Sequence, residues 1–317
     1  KVLGHEGPGS LCALLRRRGW AAGLGVAAAE ENETFALIKV SVDLTPAGFE
    51  CRDEVLQLLF GYVRFLRELP EWPRELLEES VLLSEANWRS SEQPEATDAV
   101  LSLAGSMQKC QEPRDYLLRT AVLEGGPGLP RAVASCVRAL TPGNALVTVV
   151  SRDFRRAAVE SEKWYGTRFQ TQPAATLRAA WEEARAAPGL ALPSPNPFVP
   201  RSLELKAARQ ALVPRGAPPP PPEVLRRDGR WQAFFRQDTQ FGVPKAFVCI
   251  DLLSRLPGSS ARASAMSRLL SEVFCESLRE PILYDARLAG ITFELSASAR
   301  GLQLNLGGYD DRLVQFA

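Results

Sequence analysis

"TFALIKVSVDLTPAGFE", residues 34–50, runs a strand straight into a helix. Ala36, Ile38, Val40, Val42 and Leu44 alternate onto one face, the pattern of a half-buried strand. The alternation stops at Thr45, a residue that caps a helix, and Pro46 suits the first helical position. From there Phe49, Leu56, Leu59, Phe60, Val63 and Leu66 recur at helical spacing, which predicts one long helix to about Leu69. Upstream, "SLCALLRRRGW" predicts a short helix capped by Ser10 and closed near Gly19, with Leu11, Leu14 and Leu15 inward.

Downstream, apolar residues at helical spacing predict a helix over Pro73–Arg89 and further helix across 95–140, broken at "EGGPGLP". "NALVTVVS", Asn144–Ser151, reads as a compact buried strand, and "TLRAAWEEARAA" as a short helix. "LPSPNPFVP" must be extended, because its prolines forbid helix. The run of five prolines at 218–222 cannot pair in a sheet or continue a helix, so it reads as a polyproline spacer; Arg215 before it fits an SH3- or WW-type ligand only weakly. Beyond it come a strand, "KAFVCIDLL", and a helix, "SARASAMSRLLSEVFCESLRE". That helix is expected to turn Met266, Leu269, Leu270, Val273 and Leu278 inward. "AGITFELSAS" and "GLQLNLGGYDD" then form a hairpin-like pair of strands. Strands and helices mix without strict alternation, which predicts an α+β fold: a largely antiparallel sheet with helices packed on one face.

Composition bounds the function. The 317 residues carry 38 Lys and Arg against 37 Asp and Glu, so there is no basic excess to neutralise phosphates, which argues against a nucleic-acid partner. No apolar run approaches the roughly 20 residues needed to cross a bilayer, which argues against a membrane partner. The opening "KVLGHEG" has neither a methionine nor the features of a signal peptide and reads as the middle of a longer protein. The six cysteines form no CxxC pair and read as reduced core thiols, which suits the cytoplasm, with a mitochondrion or another organelle left open.

The chemistry-bearing residues are sparse. "GHEGPGSL", Gly4–Leu11, holds the single histidine of the chain. A zinc site needs three or four ligands, and one histidine cannot form an H-x-x-E-H pair, so His5 reads as a packed or surface residue. The same scarcity removes Ser-His-Asp and Cys-His triads. Glycines ahead of a helix could cradle an anion, but Glu6 would repel it, and a tight turn that starts a helix is the plainer reading. Glu30, Glu31 and Glu33 read as a solvated loop, and "EKWYGTRF" as a bend anchored by its aromatics.

Eight stretches together resemble the pitrilysin-type zinc metallopeptidases, the inverted-zincin family of insulin-degrading enzyme and nardilysin. They are "LGHEGPGSL", "GW" at 19–20, "VDLTPAGFE", "EKWYGT", "LPSPNPFVPRSLEL", "FFRQDTQFGVPKA", "ILYDARLAGITFEL" and "GGYDD", in matching order and spacing. The resemblance implies four related domains paired around a chamber. Residues 1–205 would be most of the second domain, 206–229 a proline-rich linker and 230–317 the beginning of the third. It implies zinc in the full-length enzyme, bound outside this chain, so that no residue here is catalytic or a metal ligand and the chain alone is inactive. It implies peptide substrates and the other domains of the same protein as partners, with a homodimer compatible. By match, Gly4, Glu6 and Leu24 would line a non-catalytic exosite that holds the N-terminal part of a peptide. Glu6 would face the α-ammonium group, Gly4 would allow close backbone approach, and the segment around Leu24 would take the peptide as an added strand. Val26 stands where relatives have glycine. The alternative is a catalytically silent peptide-binding or scaffold member of the same fold.

Overall fold

The computed structural model describes residues 1–32, 34–91, 94–109, 117–119, 122–173, 175–205, 221–238 and 242–316. Glu33, Cys110, Arg215, Pro218–Pro220 of the proline run and 239–241 of "FFRQDTQFGVPKA" lie outside the described residues. The fold is α+β, with small antiparallel sheets and helices beside them. It divides into two compact units, Lys1–Pro73 with Gly126–Pro193, and Arg74–Gly125 with Ser194–Ala317.

The first unit begins with α1, Leu11–Arg17, whose cap is Ser10: its Oγ accepts from the Ala13 amide at 3.1 Å. Gly19, at φ +69°, ends the helix in the left-handed conformation that glycine adopts freely. Strands β1, Ala21–Glu31, and β2, Ala36–Leu44, form a two-stranded antiparallel sheet that sets Leu24 opposite Val42 and Val26 opposite Val40. Val40, Val42 and Leu44 are half-buried as their alternation predicts, whereas Ala36 and Ile38 are exposed. Thr45 caps α2, Pro46–Glu50, and Cys51 separates it from α3, Arg52–Arg67, so the expected single helix is two. The close approach of α2 to the preceding turn requires Gly48, since a Cβ there would stand 1.8 Å from the Trp20 carbonyl oxygen. Helices α6, Leu129–Arg138, and α7, Ala175–Glu183, pack on α3, and Trp181 stacks on Phe60 with ring centroids 5.3 Å apart.

Two further expectations in this unit are corrected. Residues 145–151 form no strand, and Leu146 and Val150 are 94% and 91% exposed. A short, nearly continuous apolar run made the segment look buried, but among the described residues no strand lies beside it to cover it. The "EKWYGTRF" turn between β3, Glu160–Ser161, and β4, Arg168–Phe169, is not anchored by its aromatics either. Trp164 and Tyr165 are exposed, and the Glu162 carboxylate holds the bend by accepting from both their backbone amides.

The second unit is built on a three-stranded antiparallel sheet in the order β7–β9–β8: β7 is Lys245–Leu253, β8 Thr292–Ser298 and β9 Gly301–Tyr309. Ala286, Ile291, Leu306 and Leu313 form its core cluster, with α9, Tyr284–Leu288, and α10, Asp310–Phe316, contributing. Helix α4, Arg74–Arg89, belongs here: Leu83 clusters with Val199 and Ala289, and Tyr309 Oη donates to Asn87 Oδ1 at 3.1 Å. Asn196, from "LPSPNPFVP", donates its amide to Glu79 Oε1 and its Nδ2 to the Asp285 carbonyl, both at 2.7 Å. Helix α5, Ala96–Lys109, lies in the same unit. Packing therefore divides the chain differently from the 1–205 and 230–317 segments of the sequence.

Part of the expected linker is also structured: Glu223–Arg227 is strand β5, paired with β6, Gln232–Phe235. Asp228 ties the turn by accepting from the amides of Arg230 and Trp231, which hold its carboxyl below the usual carboxylate range. Helix α8, Ala261–Leu278, also departs from expectation. Met266, Leu269, Leu270 and Val273 are all more than half exposed, and it is the small-residue side that is buried, with Ser271 at 4%. Ser267 and Ser271 donate back to carbonyls one turn earlier, which satisfies their hydroxyls within the helix.

Candidate functional site

The turn "GHEGPG" is held from inside. His5 is buried, and its Nδ1 accepts from the Gly7 amide at 3.0 Å. Its own amide donates to the Val2 carbonyl, and the Ser10 amide donates to the Gly7 carbonyl. A lone histidine among glycines is thus a structural residue of the turn. Ala191 braces the far side by donating its amide to the Gly9 carbonyl at 2.9 Å. Tyr62, fully buried on α3, donates its hydroxyl to the Ala191 carbonyl at 3.0 Å. Burial pushes this phenol up to about 12.

Gly4 and Glu6 sit on this turn, and each meets a group from elsewhere in the unit. A Cβ at Gly4 would lie 3.1 Å from Val26 Cβ and 3.2 Å from its Cγ2, so the Val26 side chain rests on the Gly4 backbone. The Glu6 carboxylate pairs with Arg16 Nη2 at 2.8 Å, the two side chains being 26% and 22% exposed. Arg16 also donates its Nε to the Ala22 carbonyl of β1 at 3.1 Å. Leu24 is 7% exposed, so its side chain belongs to the core. What remains accessible near it is strand β1 itself, which pairs only with β2 among the described residues. The structure thus brings Gly4 and Glu6 together with β1 and adds two residues, Arg16 and Val26. Arg16 was legible in the sequence only as one of three consecutive arginines at a helix end, the usual place for cations that complement the helix dipole.

Other features give no better centre. Among the described residues no group of three or more His, Cys, Asp or Glu is placed to hold a metal ion, so these residues do not fit a zinc centre. The described cysteines are free, but only Cys12 is a core thiol; Cys136 and Cys249 are exposed. A groove of about 650 Å³ in the first unit is lined by Arg64, Arg67, Arg138, Thr141, Trp181 and Glu182, among others. It lies at the C-terminal ends of α3, α6 and α7, where arginines complement the negative helix ends. Arg64 does so directly, donating to the Glu182 carbonyl at 2.8 Å. No described helix is long and apolar enough to cross a membrane.

The family model "Middle or third domain of peptidase_M16" matches residues 88–317. The chain belongs to the peptidase M16 family. Over 316 residues it is 30% identical to "Insulin-degrading enzyme-like 1, peroxisomal" of Arabidopsis thaliana, covering 98% of this chain and 31% of that protein. It is 27% identical to human "Insulin-degrading enzyme", again over 98% of the chain and 30% of the relative. The chain therefore spans about a third of the length of these relatives. The crystal structure of pitrilysin superimposes with a TM-score of 0.71 at 23% identity, covering 99% of this chain and 32% of that one, which shows the shared fold.

Proposed function

We propose that this chain is part of a zinc-dependent metalloendopeptidase that degrades peptides in an enclosed chamber. In that scheme 1–205 is most of the second family domain and 230–317 the start of the third. The zinc lies outside the chain, so the chain by itself hydrolyses nothing. Its own contribution is a surface that holds the N-terminal part of a peptide. Its partners are peptides and the other domains of its protein, in a reducing compartment such as the cytoplasm.

The observation that carries the binding role is the gathering of Gly4, Glu6 and the segment around Leu24 beside one strand edge. Such an edge offers backbone hydrogen bonds to any extended peptide, whatever its side chains. A carboxylate at the end of that track suits an α-ammonium group. A peptide so held is gripped at its end and along its main chain, which tolerates diverse sequences. His5 and Tyr62 serve this surface indirectly by keeping the turn in place.

The test uses the full-length protein and isolated insulin B chain, with its N-terminus free or acetylated. Acetylation removes the ammonium charge. A charge-assisted hydrogen bond is worth about 1.5–3 kcal/mol, so acetylation should weaken binding to the native protein by roughly tenfold. Glu6→Gln should weaken the free peptide similarly and leave little further effect of acetylation, because both changes delete one interaction. Additive effects of mutation and acetylation would remove Glu6 from the site.

A further inference from the structure

The two contacts that the proposed function assigns to a peptide are already made inside this chain. Arg16 occupies one oxygen of Glu6, and Val26 covers Gly4. Neither contact is incidental to the fold around it. Arg16 is in the last turn of α1 and is fixed at a second point by the Ala22 carbonyl, so its guanidinium bridges the turn and the start of β1. Val26 stands two residues beyond the buried Leu24, on the same face of β1.

We propose that Arg16 is an internal occupant of the peptide-terminus site, a specificity-determining residue that lowers the affinity of Glu6 for α-ammonium groups, without abolishing it, by competing for the same carboxylate. This rests on the exosite role proposed above. The physics is direct. A carboxylate paired at 2.8 Å with a guanidinium carries little net charge. An ammonium group added to the same carboxylate would lie within a few ångströms of a second cation, and at such a distance in a partly buried site like charges repel appreciably. The site thus favours whatever displaces Arg16, and a peptide supplying a carboxylate near its own N-terminus does so best. That carboxylate would take the guanidinium while the terminal ammonium takes Glu6, exchanging one ion pair for two. The ligand class selected is therefore a peptide with a free amino terminus and an Asp or Glu within its first residues. Val26 adds a steric component, since its methyl groups fill the space through which a backbone would approach Gly4.

The experiment measures binding of insulin B chain, free and acetylated, to the full-length protein and to Arg16→Met. The expected result is that the preference for the free over the acetylated form rises by roughly fivefold in Arg16→Met. A second probe, insulin B chain with its second residue replaced by Glu, should outbind the parent peptide on the native protein and lose that advantage on Arg16→Met. Arg16→Gln, which drops the charge but keeps a donor within reach of β1, stands in if Arg16→Met melts early. Two results overturn the proposal, and they differ. If the preference is unchanged or falls in both Arg16 variants while Glu6→Gln abolishes it, Arg16 merely orients Glu6 and the exosite reading survives. If Glu6→Gln also leaves the preference intact, both are lost.

Discussion

Replacing Tyr62 by Phe removes one oxygen atom and tests how the site is braced. The Tyr62 hydroxyl is buried and donates to the Ala191 carbonyl, whose residue in turn donates its amide to Gly9 at the foot of the site turn. The lost hydrogen bond is worth about 1 kcal/mol, and a carbonyl left without its partner adds about 1–2 kcal/mol, so Tyr62→Phe should cost about 2–3 kcal/mol. The difference should depend on pH in a fixed direction. Burial raises this phenol from 10 to about 12, so its stabilising effect is complete below pH 10. It is lost as pH rises from 10 to 12, because the unfolded chain ionises first. The gap between native protein and Tyr62→Phe should therefore narrow by about 2 kcal/mol over that interval. Urea titrations of both proteins at pH 8, 10 and 11.5 read this directly, since every other tyrosine is common to the two. A gap below 0.5 kcal/mol at pH 8, or one that does not change with pH, would refute the bracing role.

Two further changes test the packing. Gly48→Ala must push α2 away from the Trp20 carbonyl, which a Cβ would approach to 1.8 Å; a loss of about 3 kcal/mol in urea is expected, against no change for a substitution at the exposed Ala47. Asn196→Ala strands the Phe198 amide and the Asp285 carbonyl, and should lower stability of the second unit by about 3 kcal/mol, read by hydrogen exchange of β9 amides.

Features set by near neighbours in the chain were legible in the sequence. Ser10, Thr45 and Gly19 punctuate helices as their chemistry dictates, and the last two strands, Thr292–Ser298 and Gly301–Tyr309, pair as the expected hairpin. What was not legible depends on partners far along the chain. The periodicity of α8 marks an apolar stripe at Met266–Val273 without saying which side meets the sheet, and the sheet meets the serine side. Residues 145–151 carry the β-branched apolar run of a buried strand, yet a strand exists only where another lies beside it. Packing of Asn87 and Leu83 against residues two hundred positions later likewise leaves no local trace. At the site, Gly4, Glu6 and Leu24 came from family resemblance. The ion pair to Arg16 and the cover of Val26 are set by how α1 and β1 fold back on the turn, and nothing in "RRR" says which arginine faces it.

The central claim is that peptides dock along β1 beside the "GHEGPG" turn. Hydrogen exchange of the full-length protein, with and without saturating insulin B chain, tests it most directly. Backbone amides between Ala22 and Ala28 should slow on binding, together with those of Gly4 to Gly7, while amides of α8 and the β5–β6 hairpin stay unchanged. Protection confined to other segments, with β1 exchanging at its free rate, would contradict the claim.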